Sequence, residues 1–198
     1  EILKMPKNFK IVELGPGNGD LAKTLLKSFK KFPKFYENTN FYMYEKSLGL
    51  KKIQKNYIKN KKVKWISDFS KIKKGPVLFF GNEFFDAIPI KQFEKKEGLI
   101  YEHYVYLDKN NKVRRKLIKI KNKDKLNNSI NFSKNNFIEY PELGLQAIKP
   151  MINKIKKLHG GILLIDYGYV KQHSMNTLQS VKNHKKNEIF SNLGKADV

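Results

Sequence analysis

The chain contains no cysteine, which excludes a disulfide framework, a thiol nucleophile and any Cys-ligated zinc or iron–sulfur site. It has no apolar run near the about twenty residues that a bilayer-spanning helix requires, so no membrane span is expected. Glu1 to Lys10 carries charges where the apolar stretch of a signal peptide would lie. The four histidines, His103, His159, His173 and His184, lack metal-ligand spacing, and no metal site is expected. No Ser/His/Asp order can be defended. Arginine is nearly missing as well: of 41 basic residues only Arg114 and Arg115 are arginine.

What is present is a chain of 198 residues with 40% hydrophobic and 13% aromatic side chains, enough for one domain with a real core. It begins at Glu1 rather than at methionine and reads as a fragment of a longer protein. The net charge of +23 would ordinarily point to nucleic acid or another anionic surface. Yet the charge is lysine, accompanied by abundant asparagine, isoleucine, phenylalanine and tyrosine, the pattern of AT-rich codons drifting onto exposed positions. The planar guanidinium fork that reads bases and clamps phosphates is scarce. The charge is therefore read as a solvated face, and no specific nucleic-acid partner is expected.

The first half alternates strands with helices. Strands are expected at Phe9–Leu14, Phe41–Glu45, Val63–Ile66 and Pro76–Asn82, the last apolar almost throughout, as suits parallel strands covered on both faces. Leu21, Ala22, Leu25, Leu26 and Phe29 mark one intervening helix, with Asn18 or Asp20 as its cap, and Leu50, Ile53, Tyr57 and Ile58 mark another. Such alternation implies an open, right-handed α/β sheet. From residue 90 the pattern changes: Ile88–Phe93, Leu99–Leu107 and Lys112–Ile120 read as strands, the last two joined by the turn Asp108–Asn111. Lys121–Asn136 is polar and reads as an exposed loop. Leu143–Leu158 is helical by spacing, with a kink or a new start expected at Pro150. Gly161–Tyr167 returns to a buried parallel strand. The chain is thus expected to be one domain, 1–198, with residues 90–140 a β-rich insertion after the fourth strand.

Chemistry is carried by a few short segments. In Glu13-Leu14-Gly15-Pro16-Gly17-Asn18-Gly19, alternating glycines let the chain turn sharply and bring a ligand against main-chain N–H groups at a helix start. The ending is not that of a phosphate-binding loop, and the spacing is not that of the dinucleotide fingerprint. Glu13 would repel a pyrophosphate but suits a ligand bearing an amino group and a sulfonium. The plainer reading is a tight strand–helix turn. Glu45 ends the second strand, where an acid accepts hydrogen bonds from ribose hydroxyls; the plainer reading is a solvated carboxylate paired with Lys46. Asp68, after the third strand, could reach an adenine amino group with Trp65 nearby, or could be a surface cap beside a core tryptophan.

The second strong signal is Asn82-Glu83-Phe84-Phe85-Asp86-Ala87. Two acids and an amide cluster at the carboxyl end of a buried strand, where open α/β sheets bind ligands. Carboxylates there would orient a cation, guanidinium above all, because the fork matches. Phe84 and Phe85 would wall a pocket, or serve as core. Asp166 and Tyr167 end a later strand on the same edge and are further candidates for that pocket.

Glu13–Gly17, Asn82–Ala87, Pro89, Gln92-Phe93, Ile165–Gly168, Thr177–Gln179 and His184 occur in an order that resembles the MidA family of S-adenosylmethionine-dependent methyltransferases. Gly194–Val198 resembles the start of a segment that continues in that family. The resemblance implies a Rossmann-like class I methyltransferase fold, truncated at both ends. It implies S-adenosyl-L-methionine as cofactor, with Glu13, Gly15, Gly17 and Gly19 around its methionine moiety and Glu45 at its ribose. Asn82, Glu83 and Asp86 would line the methyl-acceptor pocket. The implied reaction is methylation of an arginine guanidino nitrogen in a 49-kDa-type subunit of respiratory complex I, in support of complex assembly. The compartment would be the cytoplasm of a bacterium or the mitochondrial matrix. Rival readings are a nicotinamide-dependent oxidoreductase, a nucleic-acid methyltransferase and a non-catalytic assembly or scaffold protein.

Overall fold

The computed structural model describes residues 6–121, 130–132, 135–170 and 176–196. His173 and most of the Lys121–Asn136 segment lie outside them. The described chain forms two compact units, Glu1–Asp86 with Leu145–Tyr167, and Ala87–Gly144 with Gly168–Val198.

The first unit is an α/β sheet of five parallel strands. In chain order its elements are β1 (Phe9–Leu14), α1 (Asp20–Phe29), α2 (Pro33–Asn38), β2 (Thr39–Tyr44), α3 (Leu48–Tyr57), β3 (Val63–Ile66) and β4 (Val77–Asn82). The second unit then supplies β5 (Lys91–Lys96), β6 (Leu99–Leu107), β7 (Val113–Lys119) and β8 (Phe137–Tyr140), after which come α4 (Glu142–Leu158) and β9 (Gly160–Ile165). The parallel sheet has the order β3-β2-β1-β4-β9, with Leu14 paired to Tyr44 on one side and Gly81 on the other. Strand order reverses between β1 and β4, and at such a switch point loops part to leave a crevice at the carboxyl ends.

The inner strands are largely apolar because both of their faces are covered. One core joins Phe9, Ile11, Phe41 and Phe80 to Ala22 and Leu26 of α1. The other joins Val12, Leu14, Val77 and Phe79 to Met151 of α4. The strand alternation therefore puts Glu13 on the Ile11 face, the side covered by α1.

Four local expectations are corrected. α1 is capped by neither Asn18 nor Asp20: Gly19 holds the cap position at φ 94°, with no side-chain cap, and Asp20 is the first helical residue. Of the residues of α3 only Gln54 is buried, together with the C-cap Ile58, while Ile53 and Tyr57 face outward. Helix α4 continues past Pro150, so no new helix starts there. β9 is the edge strand of the described sheet, and Leu163, Leu164 and Ile165 are exposed rather than buried. The short helix α2, with Pro33 in its first turn, carries no strong apolar period and was not expected.

The second unit is an antiparallel sheet of order β7-β6-β5-β8 with a small hairpin of β10 (Ser180–Lys182) and β11 (Lys185–Asn187). Its first strand, β5, starts at Lys91 rather than Ile88. At the β6–β7 turn, Asp108 accepts from the Asn110 and Lys112 amides, both at 2.9 Å, and from Arg114 Nε at 3.0 Å. Thr177 donates through its amide and hydroxyl to Glu139, which also accepts from Gln92. Among the described residues no helix is long and apolar enough to cross a membrane.

Candidate functional site

Glu13 is the one acid inside the buried strand β1, only 3% exposed. Its Oε2 is buried without a hydrogen-bond partner. Removal from water pushes its carboxyl up to about 8, since burial penalises the charged form. Just beyond, Gly15 turns the chain at φ +58°, and its amide donates to the Tyr44 carbonyl at 3.1 Å. A Cβ there would lie 2.8 Å from Phe84 Cδ2, so only glycine allows that ring to close over the turn. At Gly19 the φ of 94° itself favours glycine, and a Cβ would meet the flexible end of Ile58 at 2.8 Å.

Glu45 follows β2 and is also buried. Its Oε1 accepts from the Ser47 amide at 2.8 Å and its Oε2 from Gln54 Nε2 at 3.2 Å. The expected alternative, a solvated carboxylate, is not what the chain builds. Gln54 Nε2 also donates to the Gly17 carbonyl at 2.7 Å, and Gln54 Oε1 accepts from Trp65 Nε1 at 3.0 Å. Sequence reasoning missed Gln54; the only signal was its place at i, i+4 spacing between Leu50 of α3 and its C-cap Ile58. Asp68 stands apart: it is exposed and accepts from the Ser70 amide at 2.7 Å, and hydrogen bonds from Ser70 hold its carboxyl below the ordinary range.

Asn82 ends β4 beside Ile165 of β9. Glu83 then takes the left-handed conformation, φ 50°, and its amide donates to the Ile165 carbonyl at 2.8 Å. Asp166 Oδ2 accepts from the Phe85 and Asp86 amides at 3.2 and 3.3 Å, and its Oδ1 from the Tyr167 amide at 2.9 Å. Asp166 therefore holds the turn that presents Glu83 and Asp86. The charge of Glu83 and a hydrogen bond to it raise the Tyr167 phenol above its usual range, with smaller contributions from Asp86 and Asp166. Phe84 stacks edge-on against Tyr44 and Phe85 and lies against Gly15, while Phe85 is half-buried. Among the described residues no group of three or more His, Cys, Asp or Glu is placed to hold a metal ion.

The glycine loop, Glu45 and the Asn82–Asp86 turn thus stand at the carboxyl ends of β1, β2 and β4. Asp166 and Tyr167 join them from β9. A groove of about 500 Å³ beside α1, lined by Lys23, Lys27, Lys30, Tyr57 and Lys59, contains none of these groups.

A family model described as "Putative S-adenosyl-L-methionine-dependent methyltransferase" matches residues 1–198. The chain belongs to that family. It is 24% identical over 226 residues to the mitochondrial protein arginine methyltransferase NDUFAF7 of Xenopus tropicalis, covering 98% of this chain and 51% of the relative. It is 28% identical over 214 residues to the NDUFAF7 homolog of Caenorhabditis elegans, covering 96% and 50%. The chain of this methyltransferase-family member therefore spans about half the length of the curated relatives it matches. In fold it is similar to a COG1565 superfamily protein of Burkholderia thailandensis crystallised with S-adenosyl-homocysteine, at TM-score 0.74 and 18% identity, over 96% of this chain and 51% of that one. A native structure of a Burkholderia thailandensis protein of the same superfamily also gives a TM-score of 0.74, at 17% identity over 96% and 53%. The fold is class I methyltransferase-like.

Proposed function

We propose that this chain forms the cofactor site and the acceptor site of a protein arginine methyltransferase that uses S-adenosylmethionine. The observation that carries the reading is the unpartnered, buried oxygen of Glu13 beneath a glycine turn. A buried carboxyl without a partner is costly, and a ligand with a positive charge relieves it. An amino group or sulfonium does so; a pyrophosphate would not. The residues present therefore fit the cofactor: Glu13 and the loop from Gly15 to Gly19 at its methionine end, Glu45 at its ribose. Glu45 retains acceptor capacity, because a carboxylate offers about four lone-pair sites and two are occupied here.

S-adenosylmethionine, when bound, supplies a methyl group activated by the adjacent sulfonium. The chain's own task is then alignment. A guanidinium is a poor nucleophile with a pKa above about 12. Glu83 and Asp86 would pair with it, draw its charge away from the attacking nitrogen and accept the released proton. Asn82 lines the same pocket, Asp166 shapes it and Tyr167 marks its rim. The names of the mitochondrial relatives support a protein substrate. We read it as a 49-kDa-type subunit of respiratory complex I, with a role in complex assembly, in the mitochondrial matrix of a eukaryote or the cytoplasm of a bacterium. We also read the two compact units as one methyltransferase domain in which residues 90–140 are an insertion.

Calorimetric titration of the full-length protein tests the cofactor assignment. S-adenosylhomocysteine should bind and NAD should not; the reverse would replace the reading with an oxidoreductase. Glu45→Ala should weaken binding by on the order of 1.5–3 kcal/mol, the worth of a charge-assisted contact. Unchanged binding would remove Glu45 from the site.

A further inference from the structure

We propose that the Gln54 amide is a positioning residue that sets the glycine loop and Glu45 together, so that the two ends of the cofactor site act as one unit; this rests on the reading of the site given above. Gln54 is 0% exposed, a degree of burial more usual for an apolar side chain than for an amide. A buried amide persists there only if its groups are satisfied. Three partners satisfy it: the Gly17 carbonyl, Glu45 Oε2 and Trp65 Nε1.

The orientation follows from the partners. An indole N–H only donates, so the amide oxygen must face Trp65. The amide nitrogen then faces two acceptors, Gly17 and Glu45, and its two hydrogens are used on them. A glutamine that merely tied α3 to β3 would need Trp65 alone. The other two bonds reach the loop after β1 and the acid after β2, the segments assigned to the methionine and ribose ends of the ligand. No other side chain among the described hydrogen bonds joins these two segments. Displacing the loop would free Nε2 from Gly17 and loosen Glu45, and displacing Glu45 would loosen the loop.

The test is a double-mutant cycle read by S-adenosylhomocysteine affinity in the full-length protein, without turnover. Gln54→Met keeps the length and volume of the side chain and deletes all three bonds. Gln54→Met and Glu45→Ala should each weaken binding about tenfold or more, and the double variant should be no more than two- to threefold weaker than the worse single one. A double variant whose loss equals the product of the two single losses would overturn the coupling, as would Gln54→Met with wild-type affinity. A purely structural amide would lower the melting temperature without this non-additivity. If Gln54→Met does not fold, Trp65→Phe unlocks the amide while leaving it in place, and the same cycle is run with Trp65→Phe and Glu45→Ala. Absence of binding by the wild-type protein is a different result, and it would refute the cofactor assignment itself.

Discussion

Replacing Glu83 by glutamine is expected to lower methyl transfer to an arginine-bearing acceptor by at least about a hundredfold, with S-adenosylhomocysteine affinity nearly unchanged. Glu83 is exposed in the free protein; once cofactor and acceptor cover it, a positioned charge contact contributes about 3 kcal/mol to the transition state, which sets that magnitude. Glutamine keeps the shape and can still accept from Tyr167, but the negative charge that orients a guanidinium is gone. The fold should hardly notice, because the Glu83 side chain is exposed and its backbone amide, not its carboxylate, makes the bond to Ile165. A second reading comes from Tyr167. Its phenol is raised chiefly by the Glu83 charge, so its titration, followed by ultraviolet absorbance, should fall toward the ordinary range in Glu83→Gln. Single-turnover methylation, melting temperature and cofactor titration on one sample decide the matter. A stable variant with normal turnover removes Glu83 from the chemistry.

The second large effect concerns Glu13 and protons. In the free protein its carboxyl is pushed up to about 8 by burial, so near pH 7 it is mostly neutral. A cationic ligand beside Oε2 favours the carboxylate, and binding must then release a proton. Affinity should therefore rise by up to about tenfold per pH unit as pH increases toward 8, and level off above it. Calorimetry in buffers of different ionisation enthalpy measures that proton directly. Glu13→Gln should bind much more weakly above pH 8 and lose the slope. The free protein should show the opposite trend in stability. Because the folded pKa lies above the unfolded value, the stabilisation from this group is full below about 4.5 and is lost as pH rises toward 8, with a limiting slope of about 1.4 kcal/mol per pH unit. Binding at pH 7 without proton release would place the cation elsewhere.

The parallel sheet and the two loops at its switch point were legible because each depends on local grammar. Continuous apolar runs signal doubly covered strands, alternating glycines signal a turn that only they permit, and the acids of Asn82–Asp86 follow a strand too apolar to be anything else. Gln54 was not legible for the opposite reason. Helical periodicity assigns buried positions to apolar residues, so Ile53 looked like the inward position, whereas Ile53 is exposed and the amide at the next position is buried. Its partners come from residues 17, 45 and 65, and nothing in the α3 segment announces them. The exposed β9 shows the same limit from another side. An apolar run reports what a strand can bury, not what the chain at hand places against it. Pro150 is a milder case, since α4 carries its apolar face on Met151 and Ile155 and packing holds the helix through the proline.

The left-handed backbone at Glu83 has a consequence for how this protein can change. A side chain with a Cβ is strained at φ 50°, by an amount of order 1 kcal/mol or more, and glycine or asparagine would sit there more comfortably. Under the proposed role of Glu83, heat tolerance and catalysis pull in opposite directions at this one codon. A library screened only for survival at elevated temperature should then drift toward Glu83→Gly, and the proposal expects those sturdier proteins to be silent. If Glu83 carries the proposed chemistry, the strain at this backbone position is a cost that only turnover repays.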